Sequence, residues 1–152
     1  MKKVTIYTDG ACRGNPGPGG WGAILIYGSA EKELSSGENM TTNNRMELTS
    51  VISALDALRE PCDVELYTDS QYISNAINNR WLDSWIKQGW KRKGGEVKNQ
   101  DLWKQLAPLL DKHMVKFIWV KGHADSRYNE RCDELAVAEA KSRVSVALSA
   151  AE

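Results

Sequence analysis

Two stretches sixty residues apart end in the same way: Val4 to Gly10 reads VTIYTDG, and Val64 to Ser70 reads VELYTDS. Each alternates β-branched, aliphatic and aromatic residues with polar ones, the pattern of a half-buried strand, and each runs directly into an aspartate. An isolated aspartate after a strand is most often a turn residue. The duplication argues otherwise, because α/β domains place their sites at the carboxyl ends of strands. If the segment between the two strands is a right-handed helical crossover, the strands are neighbours and Asp9 and Asp69 lie side by side.

The intervening residues predict such a crossover. After Val4–Thr8 comes the Gly/Pro-rich segment Gly14 to Gly20, and Trp21 to Tyr27 resumes as a strand, so the first two strands form a hairpin with a long turn. Lys32 to Met40 predicts a third, more polar strand. Thr41 to Arg45 is a cluster of helix-start residues, followed by Leu48, Val51, Ile52, Leu55 and Leu58 at helical spacing. Beyond the VELYT strand, Ser70 onward carries Tyr72, Ile73, Ala76 and Ile77 on one helical face. Asp101 to Lys112 predicts a further helix, which Pro108 should bend. Met114 to Val120 predicts the fifth strand, and Glu130 to Ser142 a closing helix. The expected architecture is α/β: a five-stranded mixed sheet, three strands antiparallel and two parallel, flanked by helices. A chain of 152 residues fits one domain, here residues 1–142, with 143–152 expected to form a flexible tail.

Net charge is zero, so no global basic field announces a nucleic-acid partner. The charge is unevenly placed. Arg80 to Lys98 holds six basic residues against two acidic ones, together with Trp81, Trp85 and Trp90, half of the six tryptophans. Cys12, Cys62 and Cys132 form no C-x-x-C pair, which argues against a disulfide framework and against a zinc site. The N-terminus lacks the apolar core of a secretory signal and no run of residues approaches a membrane span, so a cytoplasmic protein with no membrane partner is expected.

Two further acids join the strand-end aspartates. Glu47 falls in the first turn of the crossover helix and shares a face with Val51, Ala54 and Leu58, while Asp133 falls near the start of the closing helix. Either one alone is equally well read as a helix-start acid favoured by the helix dipole. Four carboxylates at one sheet edge would repel each other and bind protons more tightly unless cations sat among them. Hard oxygen ligands without a His/Cys cluster point to Mg²⁺, with Mn²⁺ as a possible substitute; a carboxylate-held metal pair serves in-line displacement at phosphorus.

Five ordered motifs carry a family resemblance: Tyr7 to Cys12 with Asn15 to Gly20, Thr41 to Leu48, Thr68 to Tyr72, Trp119 to His123, and Asn129 to Ala136. In order and spacing they resemble the bacterial type I ribonucleases H, over roughly residues 3 to 140. The resemblance implies a ribonuclease H-like fold and a hydrolase that cuts the RNA strand of RNA–DNA hybrids endonucleolytically, leaving 3′-hydroxyl and 5′-phosphate ends. It implies that Asp9, Glu47, Asp69 and Asp133 bind two Mg²⁺ ions with substrate, and that His123 assists proton handling or product release. A lone histidine in a polar loop is usually just solvated, but one between a strand end and the Asp133 helix is placed for proton transfer. His113 has no such placement and is expected to be structural.

Selecting RNA over DNA requires sensing the 2′-hydroxyl across a shallow minor groove, a task for small polar groups. Asn15, Asn43, Asn44 and Gln71 suit it, although Asn43 and Asn44 equally suit helix capping. Thr42 and the open amides of its helix start suit a phosphate. The resemblance adds Cys12 to the substrate-binding set and makes the Trp-rich basic window a substrate handle, comprising Trp81, Trp85, Lys87, Trp90, Lys91, Arg92 and Lys93. Trp81 and Trp85 at i, i+4 are also what core packing produces. A resolvase or integrase of the same broad fold would lack the Asn/Gln set and the Trp-rich window. A hybrid-binding module without activity would have no reason to keep four acids together. The expected partner is an RNA–DNA hybrid, and nothing requires more than a monomer.

Overall fold

The computed structural model describes residues 1–121 and 126–151. In chain order the elements are β1 (Lys2–Cys12), β2 (Gly17–Tyr27), β3 (Ala30–Thr41), α1 (Asn43–Asp56), β4 (Cys62–Thr68), α2 (Gln71–Asn78), α3 (Trp81–Lys87), β5 (Lys91–Arg92), β6 (Gly95–Glu96), α4 (Gln100–Lys112), β7 (Met114–Trp119) and α5 (Arg127–Ala151). The main sheet has the order β3-β2-β1-β4-β7. β1, β2 and β3 are antiparallel, and β1, β4 and β7 run parallel. The repeated strand ends therefore lie side by side, with Ile6 opposite Leu66 and Tyr7 opposite Tyr67.

Strand alternation divides the chemistry between the two faces of the sheet. Val4, Ile6, Leu25, Val64, Leu66 and Phe117 are buried with Leu48, Val51 and Leu55 of α1 and with Leu102, Trp103 and Leu106 of α4 in one apolar cluster. Each fully buried aliphatic or aromatic side chain of this kind contributes about 1.5–3 kcal/mol. The opposite face of β1, β2 and β3 is covered by α5. There the sheet presents glycine: a Cβ on Gly20 would lie 2.3 Å from the Ala136 carbonyl oxygen, and one on Gly22 would lie 2.7 Å from that of Cys132. The α5 backbone rides directly on β2, and Cys132, Ala136 and Ala140 are buried beneath it.

The structure differs from the sequence-based expectation at several boundaries. The helix expected from Ser70 onward is two helices, broken where Arg80 takes a left-handed conformation at φ 60°. β5 and β6, a two-stranded hairpin turned through Gly94 and Gly95 at positive φ, escaped periodicity because each strand is only two residues long. α4 continues through Pro108. α5 begins at Arg127 and continues past Ser142 to Ala151, over the segment expected to be a tail. The three cysteines are free, and among the described residues no helix is long and apolar enough to cross a membrane.

Candidate active site

Asp9 is delivered by β1, and its Oδ1 accepts a hydrogen bond from the Gly10 amide at 2.9 Å. Gly10 is where α1 crosses the strand. A Cβ there would sit 2.6 Å from the Glu47 nitrogen and 2.7 Å from the Met46 carbonyl carbon. Only glycine permits this approach, and the approach brings Glu47 beside Asp9. The start of α1 is fixed by Thr42, whose Oγ1 accepts from the Arg45 amide at 3.3 Å, and by Asn15, whose Oδ1 accepts from the Asn43 amide at 2.9 Å. Arg45 forks onto both carboxylate oxygens of Asp101 at 2.9 and 2.7 Å, tying α1 to the first turn of α4.

Asp69 follows β4 at the turn into α2. Thr68 Oγ1 accepts from the Ser70 amide at 3.0 Å, and Ser70 Oγ caps α2 by accepting from the Ile73 amide. The Trp119 indole donates to the Asp69 carbonyl at 3.1 Å, and the Val120 amide donates to the Thr68 carbonyl at 2.9 Å, so the end of β7 braces the Asp69 turn. Asp9, Glu47 and Asp69 each bring a carboxylate oxygen within 4.8 Å of the others. Asp133, from α5, lines the same cleft outside that trio, together with Asn43, Asn44, Gln71 and Tyr72.

Asp9 and Glu47 are each only 4 % exposed. Burial, first, and then the charges of Asp9 and Asp69 raise the Glu47 pKa well above the usual carboxylate range. Glu47 Oε2 is buried with no hydrogen-bond partner among the described residues. Like charges packed this closely with an unsatisfied buried oxygen suit a bound divalent cation, and an all-oxygen donor set matches a hard one. Behind the carboxylates, burial pushes the Cys132 thiol up, and its Sγ donates to the Tyr7 carbonyl at 3.4 Å.

The remaining predicted residues separate into groups. Asn43, Asn44 and Gln71 reach the cleft, while Asn15 and Thr42 shape the α1 start beside it. Cys12 is half-buried, and its Sγ donates to the Gly17 and Thr41 carbonyls, both at 3.4 Å, a bond pattern that holds the β1–β2 turn against β3. Trp81 is 44 % exposed, whereas Trp85 packs edge-on against Trp103 at 5.4 Å, so the i, i+4 pair is split between solvent and core. Trp90 also packs against the core cluster, with Lys104 Nζ 5.6 Å from its ring centroid. Lys87, Lys91, Arg92 and Lys93 are exposed on and around the β5–β6 hairpin. His113 is buried, and its Nδ1 accepts from the Cys62 amide at 3.0 Å. His123 lies outside the described residues. Sequence reasoning missed Tyr72, the Arg45–Asp101 fork and the Trp119 brace; each depends on contacts between elements far apart in the chain.

A parallel strand pair that converges carboxylates on one edge of a mixed α/β sheet, with a third acid from the crossover helix, is an arrangement suited to metal-assisted hydrolysis at phosphorus. Comparison with known proteins makes this specific. The chain belongs to the ribonuclease H family, whose model matches residues 1–141. It is 60% identical over 136 residues to the ribonuclease H of Chlorobium phaeovibrioides, covering 89% of this chain and 93% of that one. It is 58% identical over 142 residues to the ribonuclease H of Acetivibrio thermocellus, covering 93% and 97%. Among solved structures it is similar to LC9-RNase H1, a type 1 RNase H with the type 2 active-site motif, with a TM-score of 0.84 and 35% identity over 94% of this chain and 74% of that one. The N-terminal RNase H domain of rv2228c from Mycobacterium tuberculosis gives a TM-score of 0.76 at 25% identity, covering 97% and 99%. The family hydrolyses the RNA strand of RNA–DNA hybrids, and its mechanism is a two-metal one.

Proposed function

We propose that this chain carries out the family reaction with Asp9, Glu47, Asp69 and Asp133 as its metal-binding carboxylates, Mg²⁺ as its ion and His123 as an assisting proton-transfer group. The single observation that carries the reading is the convergence of Asp9, Glu47 and Asp69 oxygens within 4.8 Å, two of the three residues being buried. When bound, Mg²⁺ supplies Lewis-acid activation of water and charge stabilisation at the leaving oxygen. The chain's own residues prepare that chemistry. Gly10 and the α1 crossing fix Asp9 against Glu47, and the Thr68–Ser70 turn with the Trp119 indole fixes Asp69, so little reorganisation remains when substrate arrives.

Asn43, Asn44 and Gln71 line the cleft and present neutral donors and acceptors suited to the 2′-hydroxyl and base edges of the hybrid's minor groove. Thr42 and Asn15 beside them cap the Arg45 and Asn43 amides and so fix the helix start whose dipole faces a phosphate. Cys12 shapes this wall from behind. The exposed Lys87, Lys91, Arg92 and Lys93, with Trp81, form a handle that follows phosphates farther along the duplex, and Trp85 and Trp90 anchor that handle to the core. A monomer of one domain, working in the cytoplasm, suffices for this chemistry.

The test is cleavage of four end-labelled duplexes of one sequence: RNA–DNA, RNA–RNA, DNA–DNA, and DNA with a single ribonucleotide. Cutting confined to the RNA of the hybrid, dependent on Mg²⁺ and yielding 3′-hydroxyl ends, is the expected result. Equal cutting of DNA, or hybrid binding without cutting, would leave the fold standing and overturn the function.

A further inference from the structure

The repeated unit is the tripeptide Tyr-Thr-Asp, and the carboxylate cluster uses only its last residue. The two tyrosines stand opposite each other in register on β1 and β4, ring centroids 4.8 Å apart and planes inclined by 12°. A third ring joins them: Tyr128, in the first turn of α5, stacks on Tyr7 at 5.0 Å and 27°. None of the three belongs to the main apolar cluster between the sheet and α1. They form instead a continuous line of rings from α5 through β1 to β4.

In sequence the rings stand two residues before Asp9, two before Asp69 and five before Asp133. Asp9 and Asp133 therefore come from elements that also contribute a ring, and Asp69 follows directly on one. The α5 end of the line is held through the Tyr128 hydroxyl, which donates to Glu31 Oε1 at 2.5 Å and accepts from Arg127 Nη2 at 2.8 Å, with the guanidinium 4.8 Å from the ring centroid. Offset and inclined ring pairs at these separations are favourable and have a preferred geometry, so they fix relative position as well as cover surface. The glycine stripe under α5 sets how close the helix lies to β2. Those glycine contacts run along α5 from Cys132 to Ala140, and Tyr128 lies one turn nearer the helix start.

We infer that the Tyr67–Tyr7–Tyr128 stack is a positioning element that sets the first turn of α5 against β1 and β4, and so holds Asp133 in place relative to Asp9 and Asp69. The inference rests on the reading that these carboxylates hold the metal. A merely structural stack would protect the fold without touching the site.

Three readouts on the full chain separate these outcomes: Mn²⁺ binding without substrate, followed by electron paramagnetic resonance; steady-state cleavage of an RNA–DNA hybrid in Mg²⁺; and thermal melting. Tyr128→Ala is expected to weaken Mn²⁺ binding about threefold and to lower kcat about tenfold, the scale on which sub-ångström misplacement of a reacting group acts, with KM within about twofold. Tyr128→Phe keeps the ring and should restore both; Tyr67→Ser, at the other end of the stack, should act in the same direction as Tyr128→Ala. Wild-type Mn²⁺ affinity and kcat in both Tyr128→Ala and Tyr67→Ser at 25 °C, with only a lower melting temperature, would overturn the inference. So would failure of Tyr128→Phe to rescue, which would assign the effect to the hydroxyl's hydrogen bonds with Glu31 and Arg127. If Tyr128→Ala does not fold, Tyr128→Leu, which fills the space without a π face, decides by the same criteria. A wild type that binds Mn²⁺ but leaves the hybrid intact would sink the functional reading instead, and the Mn²⁺ arm would still test the stack.

Discussion

Gly10→Ala tests how Glu47 is brought to Asp9. The added Cβ would meet the Glu47 nitrogen at 2.6 Å, the Met46 carbonyl carbon at 2.7 Å and the Met46 Cβ at 2.9 Å. Two of these are backbone atoms, so no side-chain rotation relieves the clash. Restoring an ordinary separation of about 3.5 Å requires β1 and α1 to part by about 0.9 Å. Overpacking of this kind costs about 1–3 kcal/mol, a loss of about 2–12 °C in melting temperature for a domain of this size. The same movement carries the Glu47 carboxylate away from Asp9, and a misplacement of about 1 Å costs on the order of 10²-fold in rate. The assay pairs a thermal melt with hybrid cleavage over a Mg²⁺ titration, measured well below the melting temperature. Activity should fall far more than the folded fraction does, and the Mg²⁺ requirement should rise. A Gly10→Ala protein with wild-type rate and Mg²⁺ dependence would refute the reasoning, because it would mean that the crossing distance does not set the site.

In metal-free buffer Glu47→Gln should melt at a higher temperature than wild type at neutral pH. The Glu47 pKa is raised in the fold by burial and by Asp9 and Asp69, so above about pH 4.5 the folded state holds a proton that the unfolded chain releases, and wild-type stability falls as pH rises toward the raised value. The gap between the two proteins should therefore widen across that window, and Mg²⁺ should narrow or reverse it; a gap independent of pH contradicts the assignment. Alanine at Lys91, Arg92 and Lys93 together should raise KM while leaving kcat near wild type, and should flatten the salt dependence of binding by about 0.7–0.9 in log–log slope for each phosphate that is no longer neutralised. An unchanged slope would remove the hairpin from the interface. Trp85→Ala should cost about 2–4 kcal/mol of stability, because it removes the edge-on packing against Trp103, whereas Trp81→Ala should cost less than about 0.5 kcal/mol. Equal destabilisation by the two would mean that both tryptophans are core residues.

The parallel pairing of β1 with β4 was legible because VTIYTDG and VELYTDS carry the same alternation and the helix between them has a clear apolar face. Glu47 was legible for the same reason, since its position on the buried face of α1 follows from its spacing to Val51 and Ala54. The rest depended on information that periodicity does not hold. The break at Arg80 is a single left-handed residue in a continuous helical pattern. Trp85 and Trp81 have the same spacing signature, and only the presence of Trp103 on α4 decides which one is buried. The Trp119 indole reaches Asp69 across fifty residues, and Tyr128 reaches Tyr7 across more than a hundred. Gly10 reads in the sequence as the end of a strand; that it is also where α1 crosses is visible only once the two elements are packed.

The central claim is that the clustered carboxylates act in the chemical step after the hybrid has bound. Single-turnover cleavage of an RNA–DNA hybrid under saturating enzyme, comparing wild type with Asp69→Asn in Mg²⁺, measures that step directly. The account predicts that Asp69→Asn binds the hybrid within about threefold of wild-type affinity while its cleavage rate falls at least about 10³-fold, a loss of roughly 4 kcal/mol in transition-state stabilisation. Cleavage within about tenfold of wild type, or a loss of activity matched by an equal loss of hybrid binding, would contradict it.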